Sequence, residues 1–243
     1  MLLLLTACSG GGRGYSWGWY TVSPLTAVGQ RNLAFLAVGF QATILVSLFA
    51  LAISIVIGLV IALLGLTKNS VATAINRVYV EVFRSIPVLV LLLWVYYGLP
   101  ISLGIELGVF SAGVLALALC DSAFEAEVFR SGIQSVPTGQ SEAAKSLGMT
   151  PGQTMRFIVL PQAIRTILPT LGNQFVYMLK VSSLVSVIGL NELTRRANEL
   201  TVIQYRPLEI YTILVLEYLV LILVASFLVR RLEKRMGTGK IAA

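Results

Sequence analysis

Asp121 and Glu125 stand four residues apart in a stretch otherwise rich in alanine, leucine and valine. Residues at i and i+4 of a helix lie one above the other, so the two acids share a face. Asp121 precedes Arg130 by nine residues, ~13 Å along a helix at ~1.5 Å per residue, a depth close to the middle of a bilayer. Glu217 precedes Arg230 by thirteen residues and reaches a similar depth. Ionisable groups at such depth are expensive and face a cavity or a partner. Two chemistries fit. The acids line a negatively charged path for a cationic solute, or they are structural, with Asp121 and Glu125 pairing with Lys180. Glu127 falls on another face and reads as a structural partner of Arg130.

Other chemistries drop out. The chain has no histidine, which removes serine–histidine catalysis, the two-histidine helical zinc motif and histidine proton relays. Cys8 and Cys120 show neither metal-ligand nor redox spacing. The tail Gly237-Thr238-Gly239-Lys240-Ile241 has some look of a phosphate loop. It lacks the first glycine, where Lys234 stands, the final serine or threonine, and a following helix. The chain is therefore expected to be no enzyme, with no metal and no cofactor of its own.

The elements that must hold the acids are membrane spans. Hydrophobic residues make up 57% of the chain and charged ones 12%, about half the usual charged share of a soluble domain, and mean hydropathy is +0.87. From Leu33 to Thr67 no Asp, Glu, Lys or Arg occurs, more than the ~20 residues that one span needs. An all-α polytopic membrane protein with about five spans follows, near 39–66, 85–105, 108–129, 166–190 and 209–229. Lys180 and its neighbouring serines point to a fourth span made of a helix, a break and a short second helix. Trp94, Tyr96 and Tyr97 suit the aromatic belt at the edge of the second. The Gly104–Gly108 pair falls at a span edge and carries little as a helix-pairing motif.

Placing the N-terminus outside and the C-terminus in the cytoplasm puts Lys68, Arg77, Arg84, Arg130, Lys145, Arg156, Arg165, Arg230, Arg231, Lys234, Arg235 and Lys240 on the cytoplasmic side, as the positive-inside rule asks. Arg195 and Arg196 go against it. The net charge of +7 is then a topology signal, with no nucleic-acid partner implied. Residues 1–32 form an external segment, 33–235 the transmembrane domain with a cytoplasmic loop at about 131–165, and 236–243 a cytoplasmic tail. Leu5-Thr6-Ala7-Cys8 looks like a lipoprotein box, yet its apolar stretch is too short and has no basic flank. Gly10–Gly12 reads as a flexible joint, and Tyr15, Trp17, Trp19 and Tyr20 as a segment on the outer membrane face.

The loop between the third and fourth spans is written in helix punctuation. Glu142, Ala143 and Ala144 are acceptable helix formers, and Gly148 is a natural left-handed stop. Thr150 is a predicted N-cap, Pro151 the first helical residue and Gln153 the other half of a capping box. The second helix runs through Arg156 to Leu160, where Pro161 is expected to end or kink it. Small residues on one surface would let another protein approach closely. Glu142, Ala143, Ala144, Gly148, Ile158, Leu160 and Pro161 fall in the register of the EAA motif, Glu-Ala-Ala, three residues, Gly, nine residues, Ile-x-Leu-Pro.

On these residues the chain resembles the permease subunits of binding-protein-dependent ABC importers, across about 35–235. Glu81 to Pro87, Ala126 to Gly132, Pro137 to Gln140, Pro161 to Ala163, Gly172 to Gln174 and Lys180 to Leu184 are similar to the polar amino-acid branch. Val181 departs from the acid or amide that often follows that lysine. The resemblance implies a type I importer permease fold in the bacterial inner membrane and a loop that docks on an ABC ATPase dimer, which binds ATP and magnesium. It also implies a second permease copy or paralogue, an extracytoplasmic amino-acid-binding protein and a polar cargo, with a cationic amino acid first and glutamine or glutamate next. The alternative of another class is an ion-coupled secondary transporter or channel, suited by a broken span and buried acids.

Overall fold

Thr26 opens the longest helix by accepting a hydrogen bond from the Gly29 amide, and α1 then runs from Ala27 to Leu66 in a computed structural model that describes residues 15–67 and 69–235. Expectations placed on Cys8, Gly10–Gly12, Lys68 and the 236–243 tail lie outside the described residues. At 40 residues α1 is about 60 Å long, so it starts well before the apolar run at 39 and outreaches a bilayer core. Its apolar exterior gives no periodic signal, but a stripe of small residues decides its packing. Gly39, Thr43, Ser47, Ala50, Ser54, Gly58 and Ala62 are all buried. Lipid tails are as apolar as a leucine, so helices in a membrane associate through close packing of such residues rather than through hydrophobicity.

Asn69 caps α2 (Ser70–Ser85) by accepting from the Val71 and Ala72 amides. Pro87 disfavours helical geometry at Ile86, and the chain bends by 98° into α3, Val88–Leu103. The second span, expected from residue 85, is thus α3 with the separate helix α2 leading into it. The third, α4 (Val109–Gln134), is the central one and is buried over most of its length. The loop helix α5 (Thr138–Ser146) follows, then the long α6, Pro151–Ile188. Pro161 does not end α6. A π turn at Met155–Val159 comes just before it, and a second π turn, Trp94–Gly98, comes just before Pro100 in α3. The wider turns carry the helices past residues that have no amide hydrogen to donate.

The fourth span does change beside Lys180: its α-helical part ends at Val181, continues as a 3-10 helix over Ser182–Ile188, and the chain then turns at Gly189. The short second helix is α7, Leu193–Gln204, and α8, Pro207–Arg235, is the last span. Among the described residues four helices are long and apolar enough to cross a membrane, and the bent α2–α3 pair makes five, the number the apolar runs predict. α1 lies along α4, α6 completes the centre, and α8 packs on α6 and α7. The largest buried cluster holds Val46, Leu92, Val95, Leu117, Met178 and Val185 from four of these helices.

Candidate functional site

The loop residues come together as their local chemistry predicts. α5 ends in a Schellman motif: the Met149 amide donates to the Ala144 carbonyl (3.1 Å) and the Gly148 amide to that of Lys145 (2.9 Å). Gly148 has φ +79°, a conformation that a residue with a Cβ adopts only under strain. Two residues on, Thr150 Oγ1 accepts from the Gln153 amide (3.3 Å) and Gln153 Oε1 from the Thr150 amide (2.8 Å), closing the capping box around Pro151. Ala144 is buried, whereas Glu142, Ala143, Gly148, Leu160 and Pro161 are exposed and Ile158 is half-buried. Leu147 at the tip is 82% exposed and Phe157 61%. Leu147 stands on the turn between α5 and α6 and Phe157 on the π turn of α6; exposed large apolar side chains of this kind are a feature of interaction surfaces.

The acids are placed differently from one another. Asp121 is held inside the bundle between two donors: Ser54 Oγ of α1 donates to Oδ2 (2.6 Å), and Gln174 Nε2 of α6 donates to Oδ1. Lys180 is exposed and is not its partner. Glu125, one turn on, is fully buried with no hydrogen-bond partner for either oxygen among the described residues. Its Cβ lies under Gly58 of α1, where an added methyl would sit 2.6 Å from it. Glu217 is half-buried on α8, with Oε2 lacking a partner among the described residues. Asp121 and Glu125 thus share one face of α4, while Glu217 stands on the helix that packs on α6 and α7.

Glu127 forms the expected contact with Arg130 (3.8 Å) and a closer one with Arg84 of α2 (2.6 Å). Arg84 also lies 5.1 Å over the Phe124 ring. At the opposite end of the bundle Arg195 pairs with Glu199 (3.0 Å) and Arg196 stacks 4.5 Å over Phe35. The aromatic N-terminal segment is tied to this end. Tyr15 and the Gly18 amide donate to Glu209, and Arg206 donates to the Ser16 carbonyl. The carboxylate contact raises the Tyr15 hydroxyl above its ordinary pKa.

Sequence reasoning missed several residues here. Gln174 was visible only as part of the Gly172-Asn173-Gln174 similarity, and nothing linked it or Ser54 to Asp121. Glu192 is fully buried, caps α7 through the Arg195 amide (2.7 Å) and accepts from Tyr218 Oη (2.9 Å). The turn at Gly189 just before it was the available signal. No group of three or more His, Cys, Asp or Glu side chains is placed to hold a metal among the described residues.

Comparison with known proteins bears on the same elements. Residues 54–238 match the model of a family described as binding-protein-dependent transport system inner membrane component. The chain is 41% identical over 198 residues to the probable glutamine ABC transporter permease protein GlnM of Bacillus subtilis (strain 168), covering 82% of this chain and 91% of that one. It is 34% identical over 208 residues to the arginine transport system permease protein ArtQ of the same organism, covering 86% and 95%. A crystal structure of an amino acid ABC transporter with histidines contains a chain of the same fold, with a TM-score of 0.83 and 39% identity over 91% of this chain and 100% of that one.

Proposed function

Because the chain belongs to the family of binding-protein-dependent transport inner-membrane components, as an amino-acid ABC importer permease of the inner membrane, we propose that its α5–α6 loop is the lever through which a separate ATPase drives transport. The observation that carries this reading is the loop's build. Two local locks, the Schellman motif at Gly148 and the capping box at Thr150, hold a rigid hairpin whose apolar tip is bare. That hairpin runs without interruption into α6, which carries Gln174 to the buried Asp121. Force applied at Glu142, Ala143, Ala144 and Gly148 therefore reaches the polar centre through one helix, past Ile158, Leu160 and Pro161. ATP and magnesium belong to the partner ATPase, and this chain is its non-catalytic membrane half.

The basic residues orient the subunit with the loop and C-terminus in the cytoplasm and the N-terminal segment outside. The outer end then faces an amino-acid-binding protein. Five spans enclose a gated path only with a second permease, identical or paralogous, beside them. The cargo is a polar amino acid. Asp121 makes no ion pair among the described residues, and this charge with Glu125 and Glu217 favours a cationic side chain. The 41% identity to a protein named for glutamine favours the second reading. Competition of uptake by arginine, lysine and glutamine separates the two.

The test of the lever is to solubilise the chain from its native membrane and identify what accompanies it. Recovery of a P-loop ATPase, lost on substituting Glu142 or Gly148, is the expected result. A chain recovered alone and active in liposomes without ATP would overturn the reading in favour of an ion-coupled transporter.

A further inference from the structure

We infer that the polar pocket between α2 and the adjoining end of α4 holds the phosphate of an anionic phospholipid. The pocket has a volume of about 620 Å³ and is lined by Asn76, Arg77, Glu81, Arg84, Glu127 and Arg130 among others. Arg84 and Arg130 share Glu127, while Arg77 forms no ion pair or hydrogen bond among the described residues. Three guanidinium groups against two carboxylates leave the pocket positive, with one planar donor fork free. A guanidinium binds phosphate oxygens two at a time.

The helix that supplies most of the pocket has the build of an element lying along a bilayer surface. Thr73, Asn76, Arg77, Glu81 and Arg84 follow one face of α2. Val71, Ile75, Val78 and Val82 follow the opposite one, exposed by 65%, 50%, 59% and 45%. The 98° bend into α3 turns α2 across the direction of the span. A helix of this pattern rests with its apolar face among acyl chains and its basic face at headgroup level. The two faces thus match the two parts of one amphiphile. A net positive pocket at that level selects an anionic headgroup, because the inner leaflet carries the anionic lipids. A second protein helix would satisfy the valine stripe but leave Arg77 without a partner.

The site rests on the cytoplasmic assignment of this end. Its test measures no uptake, so its failure and a failure of the lever reading are separate results. The transporter, purified with its ATPase, is analysed by native mass spectrometry after exchange into mixed phosphatidylglycerol and phosphatidylcholine. The wild type is expected to retain phosphatidylglycerol. Arg77→Gln is expected to weaken retention about fivefold, the worth of one basic side chain near an anionic surface, and Arg77→Lys to weaken it less. Inorganic phosphate at millimolar concentration should not displace the lipid. Equal retention in Arg77→Gln, retention of phosphatidylcholine instead, displacement by inorganic phosphate, or disulfide-linked permease pairs from Val78→Cys would each overturn the proposal.

Discussion

Gly148 separates the geometry of the loop from the surface it offers. Its φ is +79°, and a Cβ built there meets nothing within 4 Å. Any substitution therefore acts first through the backbone. Holding an L-residue in the left-handed region costs roughly 1–2 kcal/mol, which shifts a local equilibrium by a factor of about 5–30. Asparagine tolerates this region and a β-branched residue does not. In transporter reconstituted with its ATPase and binding protein, amino acid taken up per ATP hydrolysed should fall in the order Gly, Asn, Ala, Val. Gly148→Val should lose about tenfold, with ATP hydrolysis itself continuing. Wild-type coupling in Gly148→Val would refute the reasoning. Equal damage from Asn and Val would refute it differently, by showing that the partner's surface, and not the turn, excludes the side chain.

Two further substitutions probe the membrane interior. Asp121→Asn leaves one side-chain oxygen for the two donors from Ser54 and Gln174; losing a charge-assisted hydrogen bond costs about 1.5–3 kcal/mol. Uptake should fall tenfold or more while the ATPase still co-purifies, and wild-type uptake would dismiss Asp121 from the path. Gly58→Ala drives a methyl to 2.6 Å from Glu125 Cβ and 2.9 Å from the Ser122 carbonyl, so α1 and α4 must part at a cost of about 1–3 kcal/mol. Its unfolding temperature in detergent should drop; an unchanged one would count against that close approach.

What the sequence discloses is local. Thr150, Gln153 and Gly148 declare the loop because caps and left-handed turns are settled within six residues, and the five apolar runs declare the spans because each alone is long enough. The ends of the spans are less readable. Thr26 starts α1 among residues that are not uniformly apolar, and α2 is hidden ahead of Pro87 because its apolar stripe is spread at helical spacing. Partnerships across the bundle are not readable at all. Asp121 could have met Lys180, with its opposite charge, but the fold presents it with Ser54 and Gln174, two neutral residues that carry no long-range signal. Glu127 announced Arg130 from the next turn of its own helix and gave no hint of Arg84.

The π turns before Pro100 and Pro161 have a consequence for how such chains vary in length. A π turn holds one residue more than the α turn it replaces, and each residue of an α-helix turns the chain by about 100°. Because the wide turn absorbs its extra residue within one revolution, removing one residue from Met155–Val159 would restore a regular turn and leave the hairpin of Glu142 and Gly148 facing the same way, whereas the same deletion elsewhere in α6 would swing it by about 100° around the helix axis. A sequence one residue shorter in this stretch would thus present the same surface to its partner, so chain length can change here with the caps and spans intact. The same holds for the aromatic edge of α3, where Trp94–Gly98 could lose one residue without turning the residues beyond it.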